Sequence, residues 1–153
     1  MKILLTMNLP YTRVYGGANR SNRSLAEALA ARQHSLCLVV PALATPSSLS
    51  HPQLLEELAA EGIRVSSDGK IDVFNLNGVE VHAVVEPARL CTYLVKQIRE
   101  FGPDWTMVSS EDRSQSLLEA ALKGLPFPGH LPRSYAADVP VRAGQLISRE
   151  EED

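Results

Sequence analysis

Two adjacent glycines, Gly16 and Gly17, separate an apolar N-terminal segment from a segment with helical periodicity. Glycines lack a Cβ and let the backbone approach a ligand closely. The free N–H groups and partial positive charge of a helix start attract anions such as phosphate, and nearby arginines, including Arg23, add positive charge. Alternatively, the glycines only form a turn and the arginines are solvated. The candidate phosphate-facing residues are Arg13, Gly16, Gly17, Asn19 and Arg20.

A second group of polar residues, Ser110, Glu111 and Asp112, follows the apolar segment 105–108. Hydroxyl and carboxylate groups bind polyols through hydrogen bonds, so we predict that these three residues contact an acceptor molecule. The alternative is structural: the serines at 109–110 would cap a helix over residues 111–123, whose first turn favours acidic side chains.

Several motifs with well-defined chemistry are missing from the sequence. The first loop lacks the G-x-G-x-x-G spacing of dinucleotide-binding proteins, and the chain contains no Gly-Lys-Ser or Gly-Lys-Thr of a Walker A motif. The first acidic residue is Glu27, too late for a receiver domain that needs acids directly after its first strand. No Ser-His-Asp or Cys-His arrangement is evident from the order of the residues.

The spacing of histidines and cysteines predicts no metal site. Cys37 and Cys91 are too far apart for a zinc knuckle, and the histidines do not show metal-ligand spacing. His130 alone among the histidines lies in a plausible site loop, residues 126–130, and is a candidate catalytic residue.

The elements that would position these residues predict an α/β, Rossmann-like fold with a mainly parallel sheet flanked by helices. A strand at 3–7, a helix at 18–33 and a strand at 36–40 form a βαβ unit. The Asn77-Gly78 dipeptide predicts a hairpin near residues 71–85. Ligands of such sheets bind beyond the carboxyl ends of the strands. Three predicted loops share that edge, at residues 8–19, 41–50 and 109–114. The remaining predicted elements are helices at 51–61, 87–101 and 111–123 and strands at 63–65 and 105–108.

Length and composition predict one globular domain, over residues 1–123, followed by an irregular Pro- and Gly-rich segment with an acidic tail, over residues 124–153. The net charge is −3, and removing the four acids at 150–153 leaves +1, too little for general nucleic-acid binding. No apolar run approaches the length of a membrane span, and the N-terminus lacks a signal-peptide pattern. With only two cysteines, a reducing cytoplasmic location is the expectation.

The chain resembles the N-terminal domain of glycosyltransferase family 4 enzymes, which have the GT-B fold. The resemblance covers residues 1 to about 123 and is carried by the glycine loop, the helix 24–32 with His34 and the next strand, and the segments 101–105 and 108–112. It implies a retaining, metal-independent transfer of a sugar from a nucleotide diphosphate sugar to a sugar or lipid acceptor. The glycine loop, with Gly16 and Gly17, would face the donor diphosphate, and no cofactor would be needed besides this co-substrate.

The resemblance also implies partners for this chain, although the sequence differs from the family pattern at two places. A C-terminal GT-B domain, in cis or in trans, would bind the donor, and contact with a membrane surface is compatible with a lipid acceptor. Gln33 stands where the family usually has glycine, and the segment 124–153 replaces an expected strand. We therefore expect a fragment, a truncated gene product or half of a split enzyme, inactive without its second domain. The alternative is a non-enzymatic Rossmann-like module that binds a phosphorylated small molecule or a partner protein.

Overall fold

The computed structural model of this chain describes residues 1–126 and the backbone of residues 146–148. The prediction for His130 and most of the prediction for residues 124–153 lie outside this part. The strands are β1 (Lys2–Thr6), β2 (Ser35–Pro41), β3 (Val65–Ser67), β4 (Ile71–Leu76), β5 (Val79–Val84), β6 (Trp105–Val108) and β7 (Leu146–Ser148). The helices are α1 (Gly17–Ala31), α2 (His51–Ala60), α3 (Leu90–Phe101, after a 3-10 turn at Pro87–Arg89) and α4 (Ser116–Gly124).

The seven strands form one sheet in the order β3-β4-β5-β2-β1-β6-β7. Its four central strands, β5, β2, β1 and β6, are parallel, whereas β3, β4 and β7 join antiparallel at the two sides. Long apolar runs without polar alternation suit central strands that are covered on both faces, and β2 is buried from Leu36 through Pro41. The predicted Rossmann-like α/β fold is confirmed. β7 lies within the segment predicted to be irregular.

The sheet separates two apolar clusters because successive side chains of a strand point to opposite faces. Ile3 and Leu5 face the cluster that contains Leu54 and Leu58 of α2, whereas Leu4 faces the opposite cluster. α1 also packs on the first face through its buried Ala26. The second face is covered by α3 and α4 through Leu90, Leu94, Ile98, Leu117, Ala120 and Ala121.

The hairpin predicted near residues 71–85 is confirmed as β4 and β5. Asn77 and Gly78 have φ values of 53° and 81°. A type I′ turn requires positive φ at both central positions, and Asn-Gly supplies it at low steric cost. Asn75 Oδ1 also accepts a hydrogen bond from the Gly78 N–H at 3.0 Å.

The predicted start of the last helix is wrong: α4 begins at Ser116, five residues after the predicted Glu111. Gln115 has a φ of 59°, in the left-handed region, so the helix does not extend towards residue 111. The Asp112 carboxylate accepts hydrogen bonds from the N–H groups of Ser114 at 3.1 Å and Leu117 at 2.9 Å. Asp112 therefore binds the first turn of α4, a function that the sequence had assigned to the serines at 109–110.

Candidate functional site

The loops that follow β1 and β6 meet at the carboxyl edge of the parallel strands. The Ser109 N–H donates to the Thr6 carbonyl at 2.9 Å, and Asn8 Nδ2 donates to the Glu111 carbonyl at 3.3 Å. Asn22 of α1 donates to Ser109 Oγ at 2.9 Å. These bonds bring the predicted phosphate-facing loop and the predicted acceptor-facing residues to one place.

The amino end of α1 is open at this edge. Gly16 precedes the helix with a φ of 104°, which favours glycine, and Gly17 is the first helical residue. A Cβ placed on either glycine would meet no atom within 4 Å. In the described part of the chain no side chain caps this end, and the first turn of α1 contains no acidic residue. The N–H groups and helix dipole are therefore accessible to an anion.

The three nearby arginines differ in their surroundings. Arg20 is exposed in the first turn of α1 and forms no ion pair within residues 1–126. Arg13 Nη2 lies 2.9 Å from Glu57 Oε1, and this hydrogen bond together with the charge of Glu57 raises the pKa of Arg13. Arg23 pairs with Glu27 at 3.0 Å. Arg20 is therefore the arginine whose charge is least compensated.

A cavity of about 270 Å³ lies between the first loop, α2 and β4. Arg13 and Arg23 contribute to its wall, but so does Glu57. Because both arginines are paired with carboxylates, the cavity has no surplus positive charge from them. The amino end of α1 is the better anion site.

Asn19, predicted to face phosphate, belongs to the first turn of α1, and only 1% of its surface is exposed. Its Oδ1 accepts from the Tyr15 N–H at 3.1 Å, and its Nδ2 donates to the Pro10 carbonyl at 3.4 Å and to Met7 Sδ at 3.5 Å. This side chain holds the loop against β1 and presents the glycines without being open to a ligand itself.

The three predicted acceptor-facing residues are not equivalent. Ser110 is exposed. Partial burial opposes ionisation of Asp112, but hydrogen bonds from Leu117, Ser114 and other nearby groups outweigh it and lower the pKa of this carboxyl group. Glu111 Oε2 is buried without a hydrogen-bond partner in residues 1–126. Ser110 and Glu111 thus keep unused hydrogen-bonding capacity, whereas Asp112 uses its own to hold α4.

A histidine–aspartate pair that spacing did not reveal lies near the same edge. His51 Nε2 is 2.7 Å from Asp72 Oδ2, and Asp72 is fully buried. Asp72 is opposite Ala83, next to the carboxyl end of β5. A carboxylate that fixes one imidazole nitrogen leaves the other to exchange a proton. The two residues lie on different elements, so no short motif links them.

Comparisons of this chain with protein-family models, with curated proteins and with solved structures found no match. None of the helices within residues 1–126 combines the length and the apolar character needed to cross a bilayer.

Proposed function

We propose that this chain is the acceptor-side domain of a retaining, metal-independent glycosyltransferase that uses a nucleotide diphosphate sugar. One observation carries the proposal: the uncapped amino end of α1 opens at the carboxyl edge of the parallel sheet, beside two glycines with free space around them. The resemblance of residues 1–123 to glycosyltransferase family 4 supplies the substrate class. The enzyme works in the cytoplasm.

The chemistry assigned to this site is stabilisation of the leaving diphosphate. As the bond between the sugar C1 and the diphosphate oxygen breaks, its electron pair passes to that oxygen and negative charge grows there. The N–H groups at Gly17 and the next residues are fixed at the open end of α1 and stabilise such charge without rearrangement, and the exposed Arg20 in the same turn adds positive charge. The acceptor hydroxyl oxygen forms the new bond to C1, and its proton passes to the departing diphosphate oxygen.

The acceptor lies beside Ser110 and Glu111 in this proposal. The hydrogen bonds between Asn8 and Glu111 and between Asn22 and Ser109 keep that loop against the glycine loop. Donor and acceptor are therefore held side by side at one edge of the sheet. A second GT-B domain, in cis or in trans, completes the donor pocket, and the acceptor is a sugar or a lipid.

The test is a titration of the 153-residue chain with UDP and GDP, in which nuclear magnetic resonance and calorimetry measure the binding. Gly17→Ala fits the open space of the fold but places a methyl group where the diphosphate would lie. Arg20→Gln removes the uncompensated charge. We expect each change to weaken binding about tenfold, because a charge-assisted hydrogen bond or close backbone contact is lost.

Arg32→Gln is the matched control, since Arg32 follows the opposite end of the same helix and is also exposed. It removes the same charge and should leave the affinity unchanged. Absence of diphosphate binding, or binding that Gly17→Ala and Arg20→Gln leave intact, would refute the site.

A second candidate function follows from the same open helix end, which needs no further domain to attract a phosphate group. It is a non-enzymatic module that binds a phosphorylated small molecule. Equal affinity for a simple sugar phosphate and for UDP, with no effect of a nucleoside, would favour this module. A clear preference for nucleotide diphosphates would favour the glycosyltransferase domain.

A further inference from the structure

Three side chains of metal-ligating type converge on one face of the sheet, away from the glycine loop. Cys37 belongs to the amino-terminal half of β2 and lies opposite Glu80 of the parallel strand β5. His82 is two residues further along β5, so it shares the face of Glu80. The potential ligand atoms of the three residues all lie within 4.8 Å of one another.

The surroundings of this cluster already orient the histidine. His82 Nδ1 is 2.7 Å from the Tyr93 hydroxyl of α3, and His82 Nε2 is 2.8 Å from Glu80 Oε1. Without a metal, the Nε2–H donates to the Glu80 carboxylate. When the proton sits on Nδ1 instead and is donated to the Tyr93 hydroxyl, the lone pair of Nε2 becomes free for a metal ion. Metal-bound histidines typically have such a partner on the second ring nitrogen.

The cluster is closed on one side and open on the other. Cys37 is fully buried and His82 is 8% exposed, whereas 54% of the Glu80 side chain is exposed. The side chain of Gln97 also contacts the thiol from α3. An ion could enter from the Glu80 side and would then be shielded by the sheet and α3.

The buried Cys37 thiol is a poor nucleophile, because the reactive form of cysteine is the thiolate. Burial, and secondly the charge of Glu80, raise the pKa of Cys37 to about 12. The thiol therefore keeps its proton at neutral pH, and reactive cysteines require the opposite shift. A bound cation would reverse this preference, because a coordinating thiol is deprotonated.

We propose that Cys37, Glu80 and His82 bind one zinc ion, with water at the fourth position. Bond lengths of about 2.0–2.3 Å and tetrahedral angles place ligand atoms roughly 3.3–3.6 Å apart. The ligand atoms lie within 4.8 Å of one another, so binding requires separations to close by at most about 1.5 Å, while the 2.8 Å contact between His82 and Glu80 opens by about 0.5 Å. On binding, the thiol proton passes to solvent and a sulfur–zinc bond forms.

The ligand chemistry selects the ion. One thiolate, one imidazole and one carboxylate suit zinc, whereas magnesium and calcium prefer oxygen ligands only. An ion here would join β2 to β5 beneath α3. This zinc site does not depend on the proposed sugar transfer.

Cobalt titration of the purified, metal-free 153-residue chain tests the site. Cobalt in a tetrahedral site gives intense visible bands, and a bound thiolate adds a charge-transfer band in the near ultraviolet. We expect both, with one cobalt per chain, displacement by zinc and a zinc-dependent rise in melting temperature. Glu80→Gln keeps the shape of an exposed side chain and should weaken binding tenfold or more.

Cys37→Ala should abolish the charge-transfer band, and Cys91→Ala, which removes the other thiol, should retain it. Circular dichroism establishes that each variant is folded; should Cys37→Ala not fold, Glu80→Gln decides. An unmodified chain without the charge-transfer band would overturn the proposal. So would a band that survives Cys37→Ala or affinity unchanged in Glu80→Gln.

Discussion

Tyr11 contributes to this fold through its aromatic ring and not through its hydroxyl. It is only 1% exposed, and its hydroxyl has no hydrogen-bond partner within the described residues. The ring lies below the Arg23 guanidinium, whose central carbon is 5.3 Å from the ring centroid. The ring therefore stabilises the loop after β1 through packing and a cation–π contact, while the hydroxyl is only desolvated.

Tyr11→Phe should increase the free energy of unfolding by about 1 kcal/mol, because it removes a buried hydroxyl without a partner and keeps the ring. Urea denaturation measures the change. Tyr93→Phe is the control: its hydroxyl contacts His82 Nδ1 at 2.7 Å, so its removal should lower stability by about 1 kcal/mol. A destabilised Tyr11→Phe variant would show that the hydroxyl has a partner after all.

At the residue scale, sequence reasoning identified positions near the sheet edge but not the use of each side chain. Adjacent glycines before a helix are visible in the sequence, and they flank the open end of α1. The inward orientation of Asn19 and the binding of α4 by Asp112 depend on how the loops fold back. The His51–Asp72 pair depends on packing between α2 and β4, which no local pattern encodes.

The C-terminal end of α1 has the geometry of a Schellman motif with an unusual residue in it. The Gln33 N–H donates to the Ala30 carbonyl at 2.9 Å, and the His34 N–H donates to the Leu29 carbonyl at 3.2 Å. Gln33 has a φ of 64°, a left-handed conformation that usually calls for glycine. This gives a physical reason for the glycine that the resembling family usually has at this position.

Gln33→Gly should raise the free energy of unfolding by up to about 1 kcal/mol, since glycine adopts left-handed conformations without a Cβ clash. Thermal and urea denaturation both measure this gain. The neighbouring Arg32 has a φ of −88°, so Arg32→Gly should instead lower stability by about 0.5–1 kcal/mol. Equal effects at the two positions would contradict the assigned motif.

At the scale of elements, the sequence was most informative where periodicity and turn chemistry agree. The amphipathic pattern of α3 and the Asn77-Gly78 turn each admit few other structures. The start of α4 was missed because a serine pair is a good cap by composition. In the folded chain the Asp112 side chain and the left-handed Gln115 move the helix start to Ser116.

Alkaline pH should weaken the whole molecule. Burial is the main cause that raises the pKa values of Cys37, Tyr11 and Tyr93 to about 12, from ordinary values of 9.0 for cysteine and 10.0 for tyrosine. Between about pH 9 and 12 the folded chain keeps protons that the unfolded chain releases. Rising pH therefore favours unfolding across that interval.

Below about pH 9 these three groups should not change the free energy of unfolding. Above about pH 9 we expect the free energy of unfolding to fall progressively as pH rises. Urea denaturation at a series of pH values, with a chelator present, measures the fall. Tyr11→Phe should show a shallower decline, because one of the titrating groups is gone. An equally steep decline in Tyr11→Phe would mean that the Tyr11 hydroxyl does not contribute.

At the scale of the whole molecule, the sequence was sufficient for the class of fold but not for its strand order. The βαβ alternation near the N-terminus predicts a parallel sheet, and the four central strands are parallel. β6 pairs with β1, and β7 pairs antiparallel with β6. The sequence does not show which edge of the sheet each of these strands joins. The strand order depends on packing between residues that are far apart in the sequence.

The division of the interior by the sheet has a consequence for protein engineering. Leu58 of α2 and Leu94 of α3 belong to separate apolar clusters with the sheet between them. Substitutions on one side therefore do not touch side chains on the other, and their effects should combine additively. One layer of helices can thus be redesigned while the opposite layer keeps the strands, and the ligand edge they define, in register.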